Sequence, residues 1–109
     1  GSAAYGATKA GVHTLTQALA LEMAPYNVNV NALCPGLAAS EMHWAFVEND
    51  AKERGITFEE MKEIELKEIP LGRYGYGSDM AGAIMWLASK SGEYVTGELI
   101  NVNGGLDFT

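Results

Sequence analysis

The sequence has little positive charge, a single cysteine and no apolar run long enough to cross a bilayer. Lys and Arg number 7 against 14 Asp and Glu, and the formal net charge of -7 argues against binding to a nucleic-acid backbone. One cysteine cannot form an internal disulfide, so nothing implies an oxidising compartment. No basic and apolar leader opens the chain. We therefore expect a cytoplasmic protein with no nucleic-acid or membrane partner.

The 109 residues amount to one domain by length, and their spacing predicts a helix followed by a strand. Val12, Leu15 and Leu19 recur at helical spacing. Pro25 ends this helix, because the residue before a proline is driven out of the helical region. Residues 28–33 alternate and carry β-branched side chains at two positions, which favours a strand.

The middle of the chain, residues 40–68, carries most of the acidic residues, with aromatic and aliphatic side chains set among them. The pattern predicts two amphipathic helices, broken near Gly55. Thr57 and Glu60 fit a capping box at the start of the second helix. Pro70 stops that helix.

A further helix and strand complete the pattern. Ser78 and Asp79 are suited to cap the helix, and residues 99–102 read as the second strand. Strands separated by helices predict parallel pairing in an α/β fold. Because two strands alone leave long unpaired edges, the pattern indicates part of a larger sheet.

Tyr5 and Lys9 are the residues with the clearest chemical potential. They lie four residues apart at the entrance to the first helix, so they share one face. A free tyrosine has a pKa of about 10, and it shuttles protons poorly near neutral pH unless its phenolate is stabilised. A neighbouring ammonium favours that charged form, so the pair is suited to protonate an alkoxide or deprotonate an alcohol. The same spacing also occurs by chance on many helices.

Five segments, taken together and in order, carry a family resemblance. They are residues 2–12 around Tyr5 and Lys9, followed by residues 19–25, 28–36, 70–73 and 95–105. The set closely resembles the short-chain dehydrogenase/reductase family. The resemblance implies the C-terminal part of one doubly wound, Rossmann-type α/β domain over residues 1–109. It also implies a helical substrate lid inserted at about residues 40–69, with the N-terminal dinucleotide-binding half lying outside this sequence.

The resemblance also implies roles at individual positions. Tyr5 corresponds to the catalytic acid/base of the family. Lys9 corresponds to the residue that hydrogen-bonds the nicotinamide ribose and stabilises the tyrosinate. Pro35 and Gly36 correspond to the turn that shapes the loop against the nicotinamide ring.

The segment after this turn is expected to complete the cofactor contacts. Ser40 stands where the family usually has a threonine that contacts the carboxamide, and serine keeps the hydroxyl. Leu37 and Ala38 are expected to add backbone contacts. Within the lid, three side chains are candidates for lining the substrate pocket, with ordinary helix packing as the alternative for the aromatic pair: Met42, Trp44 and Phe46.

The resemblance thus implies an oxidoreductase that uses NAD or NADP on a small alcohol/carbonyl substrate, as a homotetramer or homodimer. The long lid is similar to those of polyol and diol dehydrogenases in the family. No metal is expected, because His13, His43 and Cys34 lack ligand spacing. Cys34 is expected to be a small buried residue after the strand, with no base for nucleophilic catalysis evident.

A second interpretation comes from a different class of protein, a non-catalytic fragment or interaction module. The family's glycine-rich dinucleotide loop, catalytic serine and supporting asparagine have no counterparts in these residues. The isolated segment is therefore expected to be inactive and to fold poorly. A glycine-rich loop after an upstream strand would favour the enzyme, whereas unrelated upstream sequence would favour the module.

Overall fold

Helices and strands alternate along the chain in the computed structural model, which describes residues 2–107. The elements follow in the order α1 (Ser2–Met23), β1 (Ala32–Pro35), α2 (Glu41–Arg54), α3 (Phe58–Glu68), α4 (Gly77–Ala88) and β2 (Leu99–Val102). Short 3-10 turns follow α1 at Ala24–Tyr26 and α4 at Lys90–Gly92. No helix within residues 2–107 has the length and apolar character needed to cross a membrane.

The two strands pair side by side in the same direction. Ala32 donates its N–H to the Glu98 carbonyl at 2.9 Å, and Gly36 donates to the Val102 carbonyl at 3.2 Å. The register advances by four residues on both strands, as it does in a parallel pair. The predicted parallel α/β arrangement is confirmed.

The first strand begins later than the sequence predicted, at Ala32 rather than residue 28. Side-chain hydrogen bonds replace the ladder before that point. The Asn29 amide donates to the Glu93 carbonyl at 2.9 Å, and the Val30 N–H donates to the Thr96 hydroxyl at 3.0 Å. The prediction of a strand over residues 28–31 was wrong, because side chains make most of the bonds there. The backbone bond from the Gly97 N–H to the Val30 carbonyl, 2.7 Å long, does not extend the strand.

The chain divides into two compact units, the first made of Gly1–Cys34 and Ala83–Ile100. In this unit α1 buries Thr16 and Ala20, while much of its remaining surface is exposed. Gly97 packs near Ala20, where an added Cβ would lie 3.5 Å from the alanine methyl group. Gly92 is tighter still, because a Cβ there would lie 2.7 Å from the Leu87 backbone.

The second unit is made of Pro35–Gly82 and Asn101–Thr109. Its centre is a helical hairpin of α2 and α3, whose fully covered residues are Val47, Ala51 and Met61. Trp44, Ile56 and Phe58 pack around these three. The hairpin is the pair of amphipathic helices that the acidic segment predicted.

The turn between the hairpin helices follows the predicted signals. Gly55 ends α2 with a φ of 68°, a conformation that glycine adopts without steric cost. At the start of α3 the Thr57 hydroxyl accepts from the Glu60 N–H at 3.1 Å. The Glu60 carboxylate in turn accepts from the Thr57 N–H at 2.7 Å. The predicted capping box is confirmed.

The start of α4 differs slightly from the prediction. The helix begins at Gly77, so Ser78 lies inside its first turn rather than before it. Asp79 reaches back instead, and its carboxylate accepts from the Tyr76 N–H at 2.7 Å. An acidic side chain in the first turn is favourable because the N–H groups there lack helical partners.

Candidate active site

Tyr5 and Lys9 lie one helical turn apart on α1, in the first unit. The Lys9 Nζ atom lies 5.3 Å from the centre of the Tyr5 ring, and the tyrosine side chain is exposed. Lys9 forms no ion pair within residues 2–107. An ammonium at this distance from an aromatic ring makes a cation–π contact. The structure therefore brings the two predicted catalytic side chains together on one face of α1.

Residues 35–40, called the 35–40 segment, lie in the second unit and run from the last residue of β1 to the residue before α2. The Gly36 backbone passes so close to Asn103 that an added Cβ would lie 2.7 Å from the asparagine Cβ. Only glycine fits that approach without displacing its neighbour. The start of the segment, at Gly36, therefore lies against Asn103, the residue that follows β2.

A second contact holds the middle of the 35–40 segment. Gly75 donates its N–H to the Leu37 carbonyl at 2.9 Å, and Ala39 donates to the Gly75 carbonyl at 2.8 Å. These bonds make an isolated parallel bridge between Ala38 and Gly75. Ser40 then caps α2, where its Oγ accepts from the His43 N–H at 3.2 Å. The predicted cofactor-loop residues therefore form one ordered stretch of backbone.

The predicted lid residues on α2 differ in their surroundings. Met42 and Phe46 are 73% and 65% exposed and lie one turn apart, so they form an apolar strip on the surface of α2. Trp44 instead packs inside the hairpin, edge-on to Tyr74 at 4.9 Å and to Phe58 at 6.1 Å between ring centres. Trp44 thus has the helix packing named as the alternative for it, whereas Met42 and Phe46 remain exposed.

Three polar residues that the sequence reasoning missed meet beneath this helix. Glu65 on α3 lies 2.9 Å from the Nε2 atom of His43 on α2, and it accepts a 2.8 Å hydrogen bond from the Tyr74 hydroxyl. Burial and the adjacent Glu65 carboxylate raise the pKa of Tyr74. His43 and Glu65 are 22 residues apart, and Glu65 and Tyr74 are 9 apart. Helical periodicity relates only residues of the same helix, so it could not predict that these three side chains meet.

Cys34 also has a partner that the sequence did not reveal. It lies within β1 rather than after the strand, and it is half-buried rather than fully covered. Its Sγ atom lies 3.6 Å from the Nε2 atom of His13 on α1. The expectation of a buried cysteine after the strand was wrong. His13, which the sequence gave no reason to pair with Cys34, lies close to it because helix and strand are adjacent within the first unit. Within residues 2–107 no three His, Cys, Asp or Glu side chains gather as metal ligands do.

An open cleft of about 390 Å³ lies in the second unit, lined by the loop after α3 and by residues 101–105. Arg73 and Asp79 lie on one side, joined by two 2.8 Å hydrogen bonds between guanidinium and carboxylate. The hydrogen bond from Arg73 holds the pKa of Asp79 well below its usual range, helped by the Tyr76 N–H. None of the predicted site residues lines this cleft.

The parallel strand pair with flanking helices places the chain among α/β proteins of Rossmann type, and comparison with known proteins gives the family. A family model described as enoyl-(acyl carrier protein) reductase matches residues 1–107. The 3-oxoacyl-(acyl-carrier-protein) reductase FabG of Aquifex aeolicus is 41% identical over 106 residues, which are 97% of this chain and 38% of that protein. FabG of Staphylococcus aureus is 42% identical, over 97% of this chain and 39% of that protein.

Solved structures agree with this match. A short chain dehydrogenase family protein from Francisella tularensis superposes with a TM-score of 0.89 and 33% identity, over 95% of this chain and 43% of that one. Sorbitol-6-phosphate 2-dehydrogenase SrlD from Erwinia amylovora has a TM-score of 0.89 and 35% identity, over 96% and 41%. A variant of actinorhodin polyketide ketoreductase with NADPH has a TM-score of 0.87 and 34% identity, over 94% and 39%.

The chain therefore belongs to the short-chain dehydrogenase/reductase family. This confirms the resemblance drawn from the sequence and the Rossmann-type α/β fold that it implied. The chain spans 38–39% of the length of the FabG relatives it matches.

Proposed function

We propose that the full-length protein containing this chain is an NAD(P)-dependent oxidoreductase that interconverts an alcohol and a carbonyl compound. The observation that carries the proposal is the Tyr5 and Lys9 pair on α1, with the ammonium 5.3 Å from the ring centre, in a chain of this family. The NADPH in the related ketoreductase structure supports the choice of cofactor.

The proposed chemistry divides between the cofactor and Tyr5. A bound nicotinamide supplies the hydride to the carbonyl carbon or takes it from the alcohol carbon. Tyr5 gives its hydroxyl proton to the substrate oxygen in reduction and takes a proton from the alcohol in oxidation. Lys9 stabilises the tyrosinate that forms and binds the nicotinamide ribose. Its freedom from ion pairs within residues 2–107 supports that role.

The 35–40 segment is proposed to bind the nicotinamide. Pro35 and Gly36 shape its start, and the close approach of Gly36 to Asn103 supports a fixed backbone there. Leu37 and Ala38 contribute backbone contacts to the cofactor. Their backbone is held by the parallel bridge between Ala38 and Gly75. The Ser40 hydroxyl accepts from His43 while its own proton remains available to a carboxamide oxygen.

Replacement of Tyr5 by Phe tests the central assignment. Tyr5→Phe removes the proton donor and keeps the ring, so we expect kcat to fall by about 10²–10⁴-fold, the range typical of general acid–base catalysis. Hydride transfer is followed by nicotinamide absorbance in the full-length protein, with Tyr94→Phe as the control because Tyr94 is fully exposed. Near wild-type turnover by Tyr5→Phe would refute the assignment.

Two substrate classes are supported by different observations. The long lid and the structural match to SrlD favour a polyol or diol. The identity to FabG and the exposed apolar strip of Met42 and Phe46 favour a 3-oxoacyl thioester. Steady-state assays across polyols, diols, ketoses, steroids and acyl thioesters separate them. Activity on acyl thioesters or steroids alone would end the polyol proposal.

A non-catalytic interaction module is the second candidate. It is favoured by apolar side chains that are exposed on α1 and α4, among them Val12, Leu15, Ile84, Met85 and Trp86. A glycine-rich loop after an upstream strand would decide for the enzyme. The cytoplasmic setting and the homotetrameric or homodimeric assembly stay predictions.

A further inference from the structure

The contacts among His43, Glu65 and Tyr74 join three separate parts of the second unit. His43 lies on α2, Glu65 on α3 and Tyr74 in the loop after α3. The side chains of His43 and Glu65 are 13% and 14% exposed, and Tyr74 is 6% exposed. One oxygen, Glu65 Oε2, is shared by both contacts, so Glu65 is the point where the hairpin and the loop are tied together.

Packing restricts Tyr74 in addition to the hydrogen bond. Its ring lies edge-on to Trp44 at 4.9 Å and tilted against His43 at 5.5 Å between ring centres. Because the pKa of Tyr74 is raised, the hydroxyl keeps its proton and donates to Glu65 throughout the neutral pH range. The side chain is therefore held in one position by two elements of the hairpin.

The next residue carries this restraint to the 35–40 segment. Gly75 exchanges two backbone hydrogen bonds with that segment, at 2.9 Å to the Leu37 carbonyl and 2.8 Å from the Ala39 N–H. A single peptide link thus separates the residue that Glu65 holds from the residue that pairs with Leu37 and Ala39. A shift of the hairpin that moves Tyr74 would therefore act on this bridge through one peptide link.

We propose that Glu65 and Tyr74 are positioning residues that couple the helical lid, formed by α2 and α3, to the 35–40 segment. Cofactor bound against the segment then favours the lid position seen here, and substrate bound under the lid strengthens cofactor binding to the same extent, since such coupling is reciprocal. This inference rests on the proposed function, because the contact of the segment with nicotinamide belongs to it.

Amide hydrogen exchange of the full-length protein tests the physical link without any need for activity. Tyr74→Phe removes only the hydroxyl, and Glu65→Gln keeps the shape of the side chain while removing its charge. We expect the Ala39 and Gly75 amides to exchange on the order of fivefold faster in Tyr74→Phe, the effect of losing about one hydrogen bond. In Glu65→Gln they should exchange faster by a smaller factor, because the amide oxygen still accepts from Tyr74. The exposed Glu63 on the same helix supplies the control, as Glu63→Gln. Unchanged exchange at both amides would overturn the link.

Binding and kinetics test the consequence. The dissociation constants of NADH and NADPH are measured by nicotinamide fluorescence, with and without the alcohol product of the best substrate in the panel. In Tyr74→Phe we expect the gain in cofactor affinity caused by the alcohol to shrink by roughly fivefold. The substrate KM should rise by a similar factor while kcat stays unchanged. A purely structural role would lower the melting temperature or kcat and leave this coupling intact.

The two proposals fail differently. If the wild-type protein transfers no hydride in the panel, the proposed function fails and the coupling fails with it. If the wild-type protein is active and both variants keep the wild-type coupling, the positioning role alone is wrong. Glu65→Gln guards against a folding defect in Tyr74→Phe, because it weakens the same hydrogen bond from the acceptor side by replacing a carboxylate with an amide oxygen.

Discussion

Gly36 is the residue whose identity the local geometry restricts most tightly among the predicted cofactor contacts. Its hydrogen bond to Val102 continues the strand pairing, and its missing side chain lets Asn103 lie against its Cα. The resemblance to the family predicted this glycine as part of a turn. The structure adds the reason, which is contact with a residue 67 positions later in the chain.

Gly36→Ala should therefore destabilise the protein. The new methyl group would lie 2.7 Å from the Asn103 Cβ, and overpacking of this kind costs about 1–3 kcal/mol. Urea unfolding of the full-length protein measures the loss. Gly77→Ala is the matched control, because a Cβ at Gly77 has nothing within 4 Å and alanine suits a helix. Equal stability of the two variants would show that Asn103 yields without cost.

At the scale of elements, local signals placed the helices of the lid and were less reliable for the first strand. Gly55 and the capping box of Thr57 and Glu60 act within a few residues of their own positions, so they can be read from the sequence. The start of β1 depends on hydrogen bonds from Asn29 and Val30 to residues more than 60 positions away. The alternation of apolar and polar residues over 28–33 does not show at which residue backbone pairing between the strands begins.

The start of α4 provides a prediction about pH. The lowered pKa of Asp79 means that its carboxylate stabilises the folded state above the ordinary carboxyl pKa of about 3.9, and that this contribution is lost as the pH falls through the folded-state value. Asp79→Asn should lower the melting temperature at pH 7. The difference from wild type should narrow below about pH 4.

Thermal melting of wild-type and Asp79→Asn full-length protein between about pH 2 and about pH 8 measures this difference. The range extends to both sides of the ordinary carboxyl pKa of about 3.9. Asp50→Asn is the control, because Asp50 pairs with Arg54 on an exposed part of α2, where ion pairs contribute little. A loss in Asp79→Asn that is the same at every pH would show that the carboxylate charge is not its cause.

At the scale of the whole molecule, the chain buries few side chains for its length. Within residues 2–107 the buried apolar residues are Ala20, Val47, Ala51, Met61, Ile69 and Tyr74. Larger side chains such as Leu21, Met85 and Trp86 are exposed. A small core and a two-stranded sheet give little free energy to offset the conformational entropy lost on folding.

The isolated 109-residue segment should consequently fail to melt cooperatively and should lack activity. Circular dichroism during heating is the measurement, and the full-length protein is the positive control. A single sharp transition of a monomeric segment would contradict the expectation. Activity of the segment alone with NADH or NADPH would contradict the proposed need for the rest of the dinucleotide-binding domain.

The family, the α/β order of elements, the two helices of the hairpin and their capping box could all be predicted from the sequence. The helices and the capping box follow from the spacing of residues close together in the chain. The family follows from five short segments that occur in the family's order. Only the tertiary structure decided which distant side chains meet. Cys34 and His13, Gly36 and Asn103, and the link from Glu65 through Tyr74 to the 35–40 segment are such contacts. These contacts depend on how helices, strands and loops pack together. The periodicity of one helix or strand does not indicate which residues of another element it will contact.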